Sequence, residues 1–174
     1  MNRVVAIALI FLPSIVLAQD ATPPLYHYRN LLSVNPVHLA NGNVTLTFER
    51  FTSDQRSFRI ILSGGRKDNY VLVAADLNYY PSPRASINWF VGGSLIVYES
   101  PIVTGVPITQ PWNRFSESGD DRYYVATQLK NGALFRLREF LSLGIDLGIG
   151  PALEVTNGSW LWVWSIGLNL GIPF

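Results

Sequence analysis

The residues able to do chemistry are few and far apart. The 174 residues contain no cysteine, which removes disulfides, thiolate metal sites and thiol nucleophiles. Two histidines, His27 and His38, are the available imidazole bases. A hydroxyl nucleophile needs such a base within hydrogen-bond reach and a third group to orient it. His27 is followed by Tyr28-Arg29 and His38 by Leu39-Ala40, so neither begins a His-x-Ser arrangement. No catalytic, cofactor-binding or metal-binding residue is expected from this pattern. The run Ser116-Glu117-Ser118-Gly119-Asp120-Asp121 offers three carboxylates, but not at the spacing of a calcium loop, and it reads as a solvated acidic turn. Five more charges stand isolated among apolar and small residues: Glu49, Arg59, Asp76, Lys130 and Asp146. Whether they meet depends on the elements that carry them.

Those elements alternate with a period of two. Val44, Leu46 and Phe48 alternate with Thr45, Thr47 and Glu49. Phe58, Ile60 and Leu62 alternate with Arg59, Ile61 and Ser63. Val71 to Tyr79 oppose Leu72 to Tyr80; Ile87, Trp89, Val91, Leu95 and Val97 oppose Asn88, Phe90, Gly92 and Ser94. Leu141 to Ile149 oppose Ser142, Gly144, Asp146, Gly148 and Gly150. In the last segment Trp160, Trp162, Trp164, Ile166, Leu168, Leu170 and Ile172 share one parity, and the chain stops at Phe174. A weaker strand runs from Tyr123 to about Phe135, with Asn131-Gly132 marking a bulge or bend. Side chains of a strand alternate between faces, so each segment has one apolar face and one face of Gly, Ser, Asn and Thr with isolated charges. Helical periodicity is absent after the first twenty residues.

Those first residues, MNRVVAIALIFLPSIVLAQD, carry one early positive charge, an apolar run from Val4 to Leu17 and a Val-Leu-Ala ending. They read as a secretory signal peptide cleaved after Ala18, too short and too interrupted by Pro13 for a spanning helix. The expected organisation is a signal peptide over 1–18, a leader over 19–29 and a β-barrel over 30–174. A net charge of +1 gives no support for a nucleic-acid partner.

A soluble sandwich would put Lys, Glu and Asp on its polar face. Small polar residues there suit the narrow interior of a barrel of about eight strands, and the continuous apolar face then meets lipid. Closed barrels pair every backbone group, which the hydrocarbon core demands. Connection lengths agree: the long Glu99 to Asp121 segment falls at one end with Gly64 to Asn69 and Thr156 to Gly158, and short turns fall at the other. Seven strands are clear, and an even count requires another from about Asn30 to Leu39, turning at Ala40-Asn41-Gly42-Asn43, although Pro36 cannot donate to a ladder. Pairing Phe48 with Phe58 and Ile60 with Val73 sets Arg59 diagonal to both Glu49 and Asp76, and Lys130 is a possible partner for Asp146. Together the five form a lumen cluster that closes the barrel by ion pairs. Trp89, Trp160, Trp162, Trp164 and Phe174 are placed as aromatics at the membrane interface.

The signal ending VLA, the segment NVTLTFERFTSDQRSF and the terminal SIGLNLGIPF resemble the small eight-stranded outer-membrane β-barrel proteins of the OmpA/OmpX kind. The resemblance implies an all-β, closed antiparallel eight-stranded transmembrane barrel in the outer membrane of a Gram-negative cell envelope. It also implies insertion by the barrel-assembly machinery, which reads a last strand closing on Phe. This architecture hosts structural proteins, adhesins, small porin-like pores and enzymes. The expected function is non-enzymatic, structural or interactive, with outer-membrane lipid as solvent and a protein partner at loop 99–121. That loop carries Ile102, Val103, Val106, Ile108 and Trp112, an apolar content unusual for a solvated connection. The competing expectations are a lipid A-modifying enzyme of deacylase or acyltransferase type and an exported soluble barrel of lipocalin type.

Overall fold

The computed structural model describes residues 29–65, 70–82, 87–101, 121–138, 140–156 and 158–174. The proposed signal peptide, residues 19–28 of the leader with His27, and residues 102–120 of the long connection lie outside the described residues.

Eight strands close on themselves in sequence order. They are β1 (Asn30–Val34), β2 (Asn43–Ser53), β3 (Arg56–Gly65), β4 (Tyr70–Tyr79), β5 (Ile87–Pro101), β6 (Asp121–Arg138), β7 (Leu141–Glu154) and β8 (Trp160–Pro173), with one short helix, α1 (Pro36–Ala40), after β1. All pairings are antiparallel. The fold is therefore an all-β closed barrel. Both described termini and the Asp54-Gln55 turn lie at one end, called here the near end.

The register fixes the shape. One row of partners runs from Asn30 through Arg50, Phe58, Leu77, Gly93, Leu129 and Ile149 to Trp164; since Leu170 pairs with Val34, Trp164 falls level with position 40, ten residues beyond the start. With a rise of about 3.3 Å per residue and about 4.8 Å between strands, that stagger tilts the strands by about 40° to the barrel axis.

Four expectations need correction. The first strand ends at Val34, not near Leu39, because Pro36 starts a helix where its missing N–H costs nothing. The side chain of Asn35 caps that helix, accepting from the N–H groups of Val37 at 3.0 Å and His38 at 3.1 Å. Phe48 pairs with Ile60, and Ile60 with Ala75, so Arg59 stands directly opposite Glu49 and Asp76. The connection there is tighter than expected: Ser53 pairs with Arg56, with a register shift between Phe51 and Ser53. Nor is there a bulge at Asn131-Gly132, where both neighbouring ladders keep their register; the shift in β6 falls between Arg136 and Arg138. Gly132 has a different purpose. A Cβ there would come within 2.4 Å of the Phe90 ring and 2.5 Å of the Ile145 carbonyl, so the glycine makes room for Phe90 in the lumen.

Candidate functional site

The interior is stratified. At the near end Leu31, Phe51, Tyr80, Phe90 and Leu134 form a buried apolar floor, with Tyr80 5.6 Å from Phe51 and 5.4 Å from Phe90, ring centre to ring centre. At the far end Leu72, Ala74, Ile96, Tyr98, Tyr124, Ala126, Ala152 and Val163 form a second apolar cluster, with Tyr98 stacked on Tyr124 at 4.7 Å. Between them lies a belt of charge.

Period-two alternation is what brings the belt together. Glu49, Arg59 and Asp76 occupy one row of β2, β3 and β4, and Asp146 points inward from β7 across the lumen. The Arg59 guanidinium donates through Nε to Asp76 at 2.9 Å and through Nη1 to Asp146 at 3.3 Å, and lies 5.2 Å from the centre of the Phe90 ring. Lys130 Nζ donates to the same Asp76 oxygen at 2.8 Å. Asp146 also accepts from Asn169 at 3.3 Å. Glu49 accepts from the Tyr80 hydroxyl at 2.7 Å, from Asn78 at 3.3 Å and from the Ser57 hydroxyl. None of the five charged residues is more than 6% exposed. Lys130 and Asp146 sit diagonally on β6 and β7, but the ion pairs run otherwise: Lys130 to Asp76, and Asp146 to Arg59.

Such an arrangement cross-links β3, β4, β6 and β7 through the lumen. Three carboxylates face two cations, each ion is held by at least one charged or hydrogen-bonded partner, and apolar layers cover both sides. The cavity beside the belt, lined by Ser33, Thr47, Glu49, Arg59 and Asn169 among others, is about 10 Å³, room for about one water molecule. Beyond the far cluster, Arg122 pairs with Glu154 at 3.1 Å on the rim. Among the described residues no group of three or more His, Cys, Asp and Glu side chains could hold a metal ion.

One base meets a hydroxyl. His38 Nδ1 is hydrogen-bonded to the Thr45 hydroxyl, which in turn bonds Ser63. Thr45 is 4% and Ser63 5% exposed, so neither oxygen is open to a substrate in this conformation. Sequence spacing does not reveal this contact, since Pro36 to Leu39 reads as the end of the first strand and not as a helix that brings His38 to Thr45. Asn78 and Tyr80 are more legible in the sequence, sharing the inward parity of Asp76 on one continuous segment.

The outer surface is the complement. Trp160 and Trp162 are 70% and 69% exposed near the far end of β8, and Phe174 is 59% exposed at the near end, where half-buried Trp89 also lies. Trp164 is half-buried between them. Fold and site together define a closed eight-stranded barrel whose buried side chains are mostly polar and whose outer face is mostly apolar. No protein-family model matches the chain, and neither curated proteins nor solved structures yield a match.

Proposed function

We propose that this chain is a non-enzymatic outer-membrane protein of the small OmpA/OmpX-like barrel kind, exported by a cleaved signal peptide. In this reading its barrel crosses the bilayer and serves a structural or interaction role. The observation that carries the reading is inverted polarity. Among the described residues 32 large apolar side chains are exposed and 14 apolar ones are buried, while 21 polar or charged ones are buried. In water that exposure would be a severe aggregation liability, since monomeric soluble proteins rarely expose large contiguous apolar patches. In hydrocarbon it is the required surface.

Dimensions support the same reading. From Trp162 to Ile172 every second residue of β8 is apolar and directed outward or half-covered. Ten residues at about 3.3 Å and a tilt of about 40° give a height of about 25 Å, the apolar band of a transmembrane barrel. Outward-facing charge on the strands is confined, among described side chains, to Arg50 and Arg56 at the near end and Glu99 at the far end. The belt and its apolar covers make the lumen a cross-link rather than a channel.

The test is fractionation. The protein should stay with outer membranes through a sodium carbonate wash and leave only with detergent, migrating in gels with heat-dependent mobility. Release by carbonate alone would favour a soluble lipocalin-like barrel. Altered lipid A in mass spectra of cells expressing the protein would favour a lipid-modifying enzyme.

A further inference from the structure

Two arginines interrupt the apolar outer face. Arg50 on β2 and Arg56 on β3 share the outward parity of Leu46 and Ile60 and are exposed. Arg50 pairs with Phe58, two residues along β3 from Arg56, so the two are diagonal neighbours about 7–8 Å apart, a span that long side chains cross. Among the described residues neither forms an ion pair, with Asp54 in the adjoining turn or with any other carboxylate. Like charges at that spacing repel, and a shared anion removes the repulsion. The register sets their height. At the strand tilt given above, both lie within about 3 Å of the level of Ile172, the lower limit of the apolar band, measured along the barrel axis. The outward rings of Tyr79, directly opposite Arg56, and Trp89 lie within about 3 Å of the same level, and such rings settle at the depth of lipid headgroups.

We propose that Arg50 and Arg56 form a headgroup site for a net-anionic phospholipid of the phosphatidylglycerol class, in the leaflet that borders the near end; the site rests on the transmembrane reading above. Both guanidiniums donate in forks to the phosphate oxygens. A zwitterionic headgroup carries its own cation beside the phosphate and competes with them, whereas a glycerol headgroup carries none. The acyl chains then lie along Phe58, Ile60 and Leu77, the exposed apolar side chains directly above. Charge at the two ends selects the leaflet. The near end presents the described side chains of Arg29, Arg50, Arg56 and Arg136 against the single carboxylate of Asp54. At the far end the outward charge is Glu99, which accepts from the Tyr123 hydroxyl at 2.9 Å and repels a phosphate.

The full chain is first refolded into vesicles of neutral phosphatidylcholine, where heat-dependent gel mobility reports insertion; failure to insert overturns the transmembrane reading and this site with it. The folded protein is then extracted into a neutral detergent and titrated, under native mass spectrometry, with phosphatidylglycerol and with phosphatidylcholine of the same acyl chains. Wild type should hold the first phosphatidylglycerol at least about fivefold more tightly, the effect of about one arginine at an anionic lipid surface. The double variant Arg50→Gln, Arg56→Gln should lose that preference. No preference in the wild type, or an equal one in the double variant, would overturn the site and leave the transmembrane reading intact. If the double variant does not fold, the wild type decides alone: in vesicles, a phosphatidylglycerol with a photoreactive headgroup should attach between Arg50 and Phe58, and attachment confined to other segments refutes the site.

Discussion

At the scale of single residues, Asp76 bears the most. It is fully buried and one of its oxygens receives both Arg59 and Lys130. Asp76→Asn leaves Lys130 with no other ion-pair partner among the described residues and Arg59 with Asp146 alone. Removing one member of a buried pair typically costs about 3–5 kcal/mol, because the remaining charge is stranded. Asp146→Asn is milder, since Arg59 keeps Asp76. Reversible urea unfolding of both variants should therefore rank Asp76→Asn as the more destabilised; the opposite order would mean that Arg59 relies chiefly on Asp146. Replacing the whole belt with apolar residues of equal volume is a different experiment, and it need not destabilise at all.

At the scale of elements, the seam between β1 and β8 is the weakest closure. It consists of four residue pairs plus the reciprocal bonds between Asn30 and Phe174, at 3.1 and 2.9 Å. Deleting Phe174 removes two of its backbone hydrogen bonds along with an exposed aromatic ring. The folded, heat-modifiable fraction should drop in both vesicle refolding and cell membranes. A drop in cells alone would assign Phe174 to recognition by the assembly machinery, and no drop in either would remove it from closure.

The same scale separates what the sequence discloses from what it conceals. Alternation assigns Arg59, Asp76 and Asp146 to one face and Ile60, Leu77 and Ile145 to the other, and the structure has them so. Alternation survives a slip of two residues unchanged, however, because only odd slips exchange the faces. That is why alternation alone admits Phe58 opposite Phe48 where the partner is Ile60, and Val73 opposite Ile60 where the partner is Ala75. Turn geometry sets the register, and Asp54-Gln55 with its adjacent irregularity carries no signal distinct enough to fix it. β1 was obscure for another reason. A five-residue strand running into a proline-started helix offers too few alternations to reveal where one ends.

At the scale of the whole molecule, stability and surface answer to different solvents. The interior holds ion pairs and hydroxyl contacts between apolar end layers, while among the described residues the apolar exterior is left uncovered. The central claim is that lipid covers that exterior. Because the chain has no cysteine, single cysteines placed along β7 can each carry one nitroxide label without interference. In lipid vesicles, labels at Leu143, Ile145, Leu147 and Ile149 should collide readily with oxygen and scarcely with a water-soluble nickel chelate, with the ratio greatest for labels nearest the middle of the band. Labels at these positions that meet the nickel chelate as freely as a label on the exposed near-end residue Gln55 would contradict the account, and would leave a barrel with water on its outside.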